Sequence, residues 1–267
     1  MVLKYCAACE RESDPVADSD RHPLAQPSGQ SAAFQGWLAQ VPAESMLVVL
    51  PEMFSTGFTM SSEEVAEDMS GPTVSWLIEQ ARSHNKTLCG SVVIRDTGRF
   101  YNRFLWVTPQ GVASTYDKRH RFRMAGEHEH YAAGERRVVI EHQGWRICPM
   151  VCYDLRFPVF FRNRDDYDLL LCVANWPAAR QSAWDVLVRA RAIENLSYMA
   201  AVNIVGTDGN DVTYSGGSVV LDPQGLNLAE AGEQSGVFSA TLNLDQLKTH
   251  RQTFPAWQDA DEFSLGP

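Results

Sequence analysis

Three apolar runs end in residue types suited to covalent catalysis: "MLVVLPE" in Glu52, "VASTYDK" in Lys118 and "RICPMVC" in Cys152. A thiol forms covalent intermediates when a nearby base takes its proton or a cation lowers its pKa. A carboxylate can be that base, and an ammonium group can face the oxyanion of a tetrahedral intermediate. Together the three would perform acyl transfer. Each also has a plainer reading. Free cysteine is among the most buried residue types, so Cys152 can be a packing residue. Lys118 opens "KRHRFR", which can be a solvated basic loop.

The elements around these residues decide whether they can meet. In α/β folds, reactive groups gather outside the carboxyl ends of strands, where loops present them. "MLVVLPE" reads as a short buried strand, and further strands are predicted at 87–94, 100–108 and 112–117, the last two joined by the turn "TPQG". "RRVVIEHQGWRICPMVC" reads as two strands about a Gln-Gly turn. "DYDLLLCVAN", "YMAAVNIVG", "GGSVVLDPQG" and "GVFSATLNL" supply more strands. Phe34, Trp37, Leu38 and Val41 share one helical face. "GPTVSWLIEQARSH", with Pro72 in its first turn, and "AWDVLVRARAIENLSYM" are the other expected helices. Buried strands separated by helices, with antiparallel pairs, imply an α/β two-sheet core covered by helices.

Bulk properties narrow the function. The chain has 267 residues, 45% of them hydrophobic, which suits one large domain. A formal charge of −10 argues against general binding to nucleic acid or to anionic membranes. No apolar run approaches the roughly 18–20 residues of a membrane helix, and the N-terminus lacks the apolar stretch of a signal peptide. Six cysteines in a chain of this length fit reduced thiols in the cytoplasm better than a disulfide framework. The first thirty residues include the polar, Pro-rich "ESDPVADSDRHPLAQPSGQ", expected to be loop or poorly ordered.

"LPEMFSTGF", "YDKRHRF" and "VCYDLRFP" resemble the glutamate, lysine and cysteine motifs of the nitrilase (carbon–nitrogen hydrolase) superfamily. Similarity to its omega-amidase branch continues through "VANWPAARQSAWDVLVRARAIEN" and "NIVGTDGN" to "FPAWQDADEF", about residues 30–267 in all. The resemblance implies a single-domain α-β-β-α sandwich that dimerises through a helical face into four layers. It also implies amide hydrolysis with no metal or organic cofactor. Cys152 would be the nucleophile, Glu52 the general base, Lys118 the oxyanion stabiliser, and the Tyr153 N–H a second oxyanion donor. The substrate would be a small amide carrying a carboxylate, such as 2-oxoglutaramate or 2-oxosuccinamate. N-carbamoyl amino acids, aliphatic amides and a non-catalytic scaffold are the alternatives. A second glutamate is common in the family, and its spacing from Gly134 favours Glu127 over Glu129 in "GEHEHYAAG".

Some positions stay open. Arg156 either pairs with Asp154 or a neighbouring carboxylate to organise the turn, or grips a substrate carboxylate. Asn175 and Trp176 in "ANWP" either line the pocket or anchor a loop through a buried indole. "HEH" at 128–130 lacks zinc-helix spacing and is expected to be a solvated loop. "CAAC" at 6–9 does not precede a βαβ unit, so a redox role is not expected. Cys89, Cys148 and Cys172 should be packing residues. Family members begin with an apolar strand ending in Gln, whereas this chain begins "MVLKYCAACERES". Either "MVLKYCA" is an atypical first strand, or residues 1–29 are altered and the sheet edge changes.

Overall fold

Side chains along the strands of the first sheet point alternately to its two faces, and that alternation builds the layers. The computed structural model describes residues 1–7, 34, 36–41 and 44–265, with residues 2–7 as backbone alone. Its strands are β1 (Val2–Ala7), β2 (Leu47–Val49), β3 (Thr87–Asp96), β4 (Arg99–Thr108), β5 (Gly111–Asp117), β6 (Ile140–His142), β7 (Trp145–Val151), β8 (Leu169–Val173), β9 (Tyr198–Val202), β10 (Val205–Thr207), β11 (Thr213–Ser215), β12 (Ser218–Leu221), β13 (Asn227–Gly232) and β14 (Gly236–Thr241). The helices are α1 (Ser62–Val65), α2 (Pro72–His84), α3 (Glu127–His130), α4 (Gln181–Asn195) and α5 (Leu244–Thr253).

One six-stranded sheet has the order β14-β1-β2-β3-β4-β5 and the other β13-β12-β9-β8-β7-β6. Successive strand residues point to opposite faces. Leu47 and Val49 therefore join the core between the sheets, while Val48 and Leu50 pack outward with Val74, Leu77 and Ala81 of α2. The central strands β7, β8 and β9 run parallel. Strands β8 and β9 are buried at every residue, as expected when both faces are covered. Trp184, Val188 and Ala192 of α4 join that core. The chain thus forms the expected α-β-β-α sandwich.

Of the two readings of the N-terminus, the atypical first strand is the one the backbone adopts. Strand β1 lies between β2, parallel, and β14, antiparallel. The polar stretch after it, and Cys9 of "CAAC", fall outside the described residues. The expected helix over 183–199 ends earlier, at Asn195. Leu196 takes a left-handed conformation (φ 47°) that stops it, and Tyr198 already belongs to β9. Composition could not reveal this, because "SYMAAV" suits either state. Among the described residues no helix is long and apolar enough to cross a membrane.

Strand direction places the candidate residues. Strand β2 is parallel to β3, β4 is antiparallel to β3 and β5 to β4, so β5 runs with β2. Glu52 and Lys118 therefore leave the same end of one sheet. Cys152 and Asn175 leave the carboxyl ends of the parallel pair β7 and β8.

Candidate active site

The nucleophile candidate sits on a strained turn. Cys152 follows β7 directly, with φ 45°, in a 3-10 turn over Cys152–Arg156. A left-handed non-glycine residue costs about 1–2 kcal/mol and persists only where its surroundings hold it. Here Asp154 does the holding. Its Oδ2 accepts from the Val151 N–H (3.0 Å) and the Tyr116 hydroxyl (2.7 Å). Its Oδ1 accepts from the His120 N–H (2.9 Å) and lies 2.8 Å from His120 Nδ1. Tyr116 and His120 flank Lys118, so one buried carboxylate ties the cysteine turn to the lysine loop. In the first turn of a helix the leading N–H groups lack intrahelical acceptors, which leaves the Tyr153 N–H suited to receive an oxyanion.

The charged residues form a dry chain. Glu52, Lys118 and Glu127 are at most 1% exposed. Lys118 Nζ donates to Glu52 Oε1 at 2.9 Å and to Glu127 Oε2 at 3.0 Å. An ammonium has three protons, so one remains for a substrate oxygen. Burial alone would lower the Lys118 pKa, but Glu127 and Glu52 outweigh it and hold the group charged. Burial pushes the Glu127 carboxyl up, Lys118 pulls it back and Glu52 adds repulsion. Burial, and then Glu52, push the Cys152 thiol well up, with Lys118 opposing. The resting thiol therefore keeps its proton, and its activation requires an adjacent base.

Three donors hold the Glu52 carboxylate. Its Oε1 also accepts from Asn102 Nδ2 (2.7 Å), and its Oε2 accepts from the Asn175 N–H (2.8 Å). Asn175 Nδ2 donates back to the Glu52 carbonyl (2.8 Å). A carboxylate offers about four lone-pair positions; three are filled, and the fourth, on Oε2, has no hydrogen-bond partner among the described residues. Glu127 further accepts from the Phe122 N–H. Glu129 is exposed, so the buried partner of Lys118 is Glu127, the glutamate its spacing favoured. The "HEH" segment is not the expected loop: it forms α3, because burying Glu127 against Lys118 pins that turn, with His128 half-buried and His130 exposed.

A cavity of about 490 Å³ opens in front of Cys152 and Lys118. Tyr153, Arg156, Asn175 and Trp176 all line it, as does Arg180. Arg156 makes no ion pair with Asp154, whose carboxylate is surrounded by other donors. Arg156 instead lies 4.8 Å over the Trp176 ring, and Arg180 lies 5.0 Å over Phe122. Neither guanidinium has a carboxylate partner among the described residues. Asp208 also borders the cavity, but its own turn occupies it: Oδ1 accepts the Asn210 and Val212 N–H groups, and Oδ2 the Tyr214 hydroxyl. Trp176 satisfies both of its readings, buried with its indole N–H donated to the Arg180 carbonyl (2.8 Å) while it lines the pocket.

Sequence reasoning missed Asn102, Arg180 and the Asp154 brace. Asn102 had a signal, an amide amid the apolar residues of "YNRFLWV". The brace had none, since Tyr116, His120 and Asp154 meet only across the two sheets.

Known proteins resemble this chain in sequence and in fold. Residues 28–252 match the family described as carbon-nitrogen hydrolase. The chain is 50% identical over 222 residues to the omega-amidase YafV of Escherichia coli K12, covering 82% of this chain and 86% of that one. It is 32% identical over 218 residues to a 2-oxoglutaramate amidase of Bacillus subtilis, covering 80% and 84%. Among solved structures, XC1258 from Xanthomonas campestris is described as a CN-hydrolase superfamily protein with an arsenic adduct in its active site. It superposes with a TM-score of 0.91 at 45% identity, covering 99% of this chain and 98% of that one.

Proposed function

The chain belongs to the carbon–nitrogen hydrolase family, and on that premise we propose an omega-amidase that releases ammonia from the terminal amide of small α-keto acid amides such as 2-oxoglutaramate. The observation that carries this reading is the pair of guanidiniums, Arg156 and Arg180, facing the cavity of Cys152 without carboxylate partners. In a chain with net charge −10, such a cavity suits an anionic tail with a neutral amide at its other end.

In this reading Glu52 takes the Cys152 proton as sulfur attacks the amide carbon. The oxyanion forms against Lys118 Nζ and the Tyr153 N–H, and Glu127 holds Lys118 charged. The C–N bond breaks as Glu52 passes its proton to nitrogen, giving ammonia and a thioester. Water then gives a proton to Glu52 and its hydroxide to the carbonyl, and the proton returns to sulfur as the acid leaves. No histidine is required. We place the enzyme in the cytoplasm, which its free buried cysteines suit. We assign residues 30–267 to the hydrolase domain, with β1 completing its first sheet. Val186 and Ile193, exposed seven residues apart on α4, support a homodimer through a helical face.

Ammonia release tests the function. Purified protein is offered 2-oxoglutaramate, an N-carbamoyl amino acid, an aliphatic amide and a nitrile; 2-oxoglutaramate is expected to give the highest kcat/KM. Release from another substrate but not from 2-oxoglutaramate would sink the reading. Arg156→Ala should raise KM for 2-oxoglutaramate roughly tenfold to a hundredfold, the scale of a lost hydrogen bond to a charged group. KM for a neutral amide should barely move, and equal changes for both would remove Arg156 from substrate recognition.

A further inference from the structure

Glu52 stands between two spaces. The large cavity holds Cys152 and Lys118, and a second cavity of about 30 Å³ is lined by Glu52 itself. Phe58, Asn175, Asp208 and Tyr214 border both. The small cavity lies under the hairpin β10–β11, against Ile204 and Val205. By volume it takes about one or two waters, and it is far too small for a keto acid amide. Its border is mainly apolar, but the unfilled Glu52 lone pair, Asn175 and the accepting side of the Tyr214 hydroxyl supply the polar partners a small hydrogen-bonding guest needs.

The chemistry creates a need for such a space. Once the thioester forms, the acyl chain occupies the large cavity beside Cys152. Ammonia must leave, and water must approach the same face of the carbonyl carbon, because Glu52 serves both proton transfers. The unfilled lone pair of Glu52 is on Oε2, the oxygen bonded by the Asn175 N–H, and Asn175 belongs to both cavities. Resting on the amidase reading, we infer that the small cavity is the exchange site for ammonia and water. Ammonia passes into it as the C–N bond breaks, and a water entering by the same route supplies the hydroxide that releases the acid.

Val205→Phe and Ile204→Phe, which touch none of the catalytic groups, test this by filling the cavity. Each is expected to keep the pre-steady-state burst of ammonia, with kcat about tenfold lower and the acyl-enzyme on Cys152 accumulating by mass spectrometry. Folded variants with unchanged kcat, or with the burst lost, overturn the inference. Should neither variant fold, the wild-type protein decides. Capture of the thioester should fall at least tenfold from hydroxylamine to N-isopropylhydroxylamine, and equal capture overturns the inference. Failure of the wild-type protein to release ammonia from any amide would instead defeat the amidase reading itself.

Discussion

Cys152→Ala is expected to abolish ammonia release, a loss on the order of 10⁶-fold such as removal of a covalent nucleophile produces, while leaving the fold intact. Alanine bears the same left-handed backbone cost as cysteine at φ 45°, and the bonds of Asp154 to Val151, Tyr116 and His120 do not involve the thiol. Circular dichroism and the unfolding midpoint should therefore match the parent protein. In the parent, quenched turnover should leave an acyl group on Cys152. Cys89, Cys148 and Cys172 are fully buried, and burial pushes each of their thiols up, so they should stay unmodified. An adduct on any of these three would overturn the assignment. Because the Cys152 thiol is itself held protonated at rest, its alkylation should need Glu52. Glu52→Gln should slow alkylation as well as turnover, which a spontaneously ionised thiol would not show.

How much of this site was legible follows from how it is built. Glu52, Lys118 and Cys152 each end a strand, so each sits beside a linear signal, an apolar run that stops at a reactive residue. Their convergence needs only that the strands share a direction, which the alternation of buried and connecting segments implies. The fold was legible for the same reason: β2, β8 and β9 are buried at every residue, and each stands in the sequence as a short unbroken apolar run. Groups that act across the layers were not. Asn102 reaches Glu52 from the middle of β4 and Asp154 reaches Tyr116 from the opposite sheet, contacts fixed by register and sheet stacking rather than by neighbours in sequence. The two readings of Arg156 could not be separated either, because the choice depends on whether Asp154 is already occupied, a fact of three dimensions.

Lys118→Met should damage both activity and stability, and the two losses should separate. The ammonium is the only cation hydrogen-bonded to Glu52 and Glu127 among the described residues, and all three groups are buried. Removing one partner of a buried ion pair typically costs about 3–5 kcal/mol, because an uncompensated charge remains. Loss of a single oxyanion donor costs on the order of 10²–10³-fold in kcat. Denaturant unfolding should show the stability deficit, and pH should modulate it. The Glu127 carboxyl is already raised by burial and loses the opposing pull of Lys118 in the variant. Above the unfolded carboxyl pKa the variant's folded state then binds more protons than its unfolded state. Its stability therefore falls as pH rises through that window and recovers toward acid. The deficit against the parent should be largest near neutrality and shrink as pH falls toward about 4.3, below which the carboxyl is protonated in both states. Adding Glu127→Gln to Lys118→Met should restore part of the stability by removing one of the two stranded charges, but no activity, since the oxyanion donor is still missing. Recovery of turnover in the double variant would show that Lys118 serves only to neutralise Glu127.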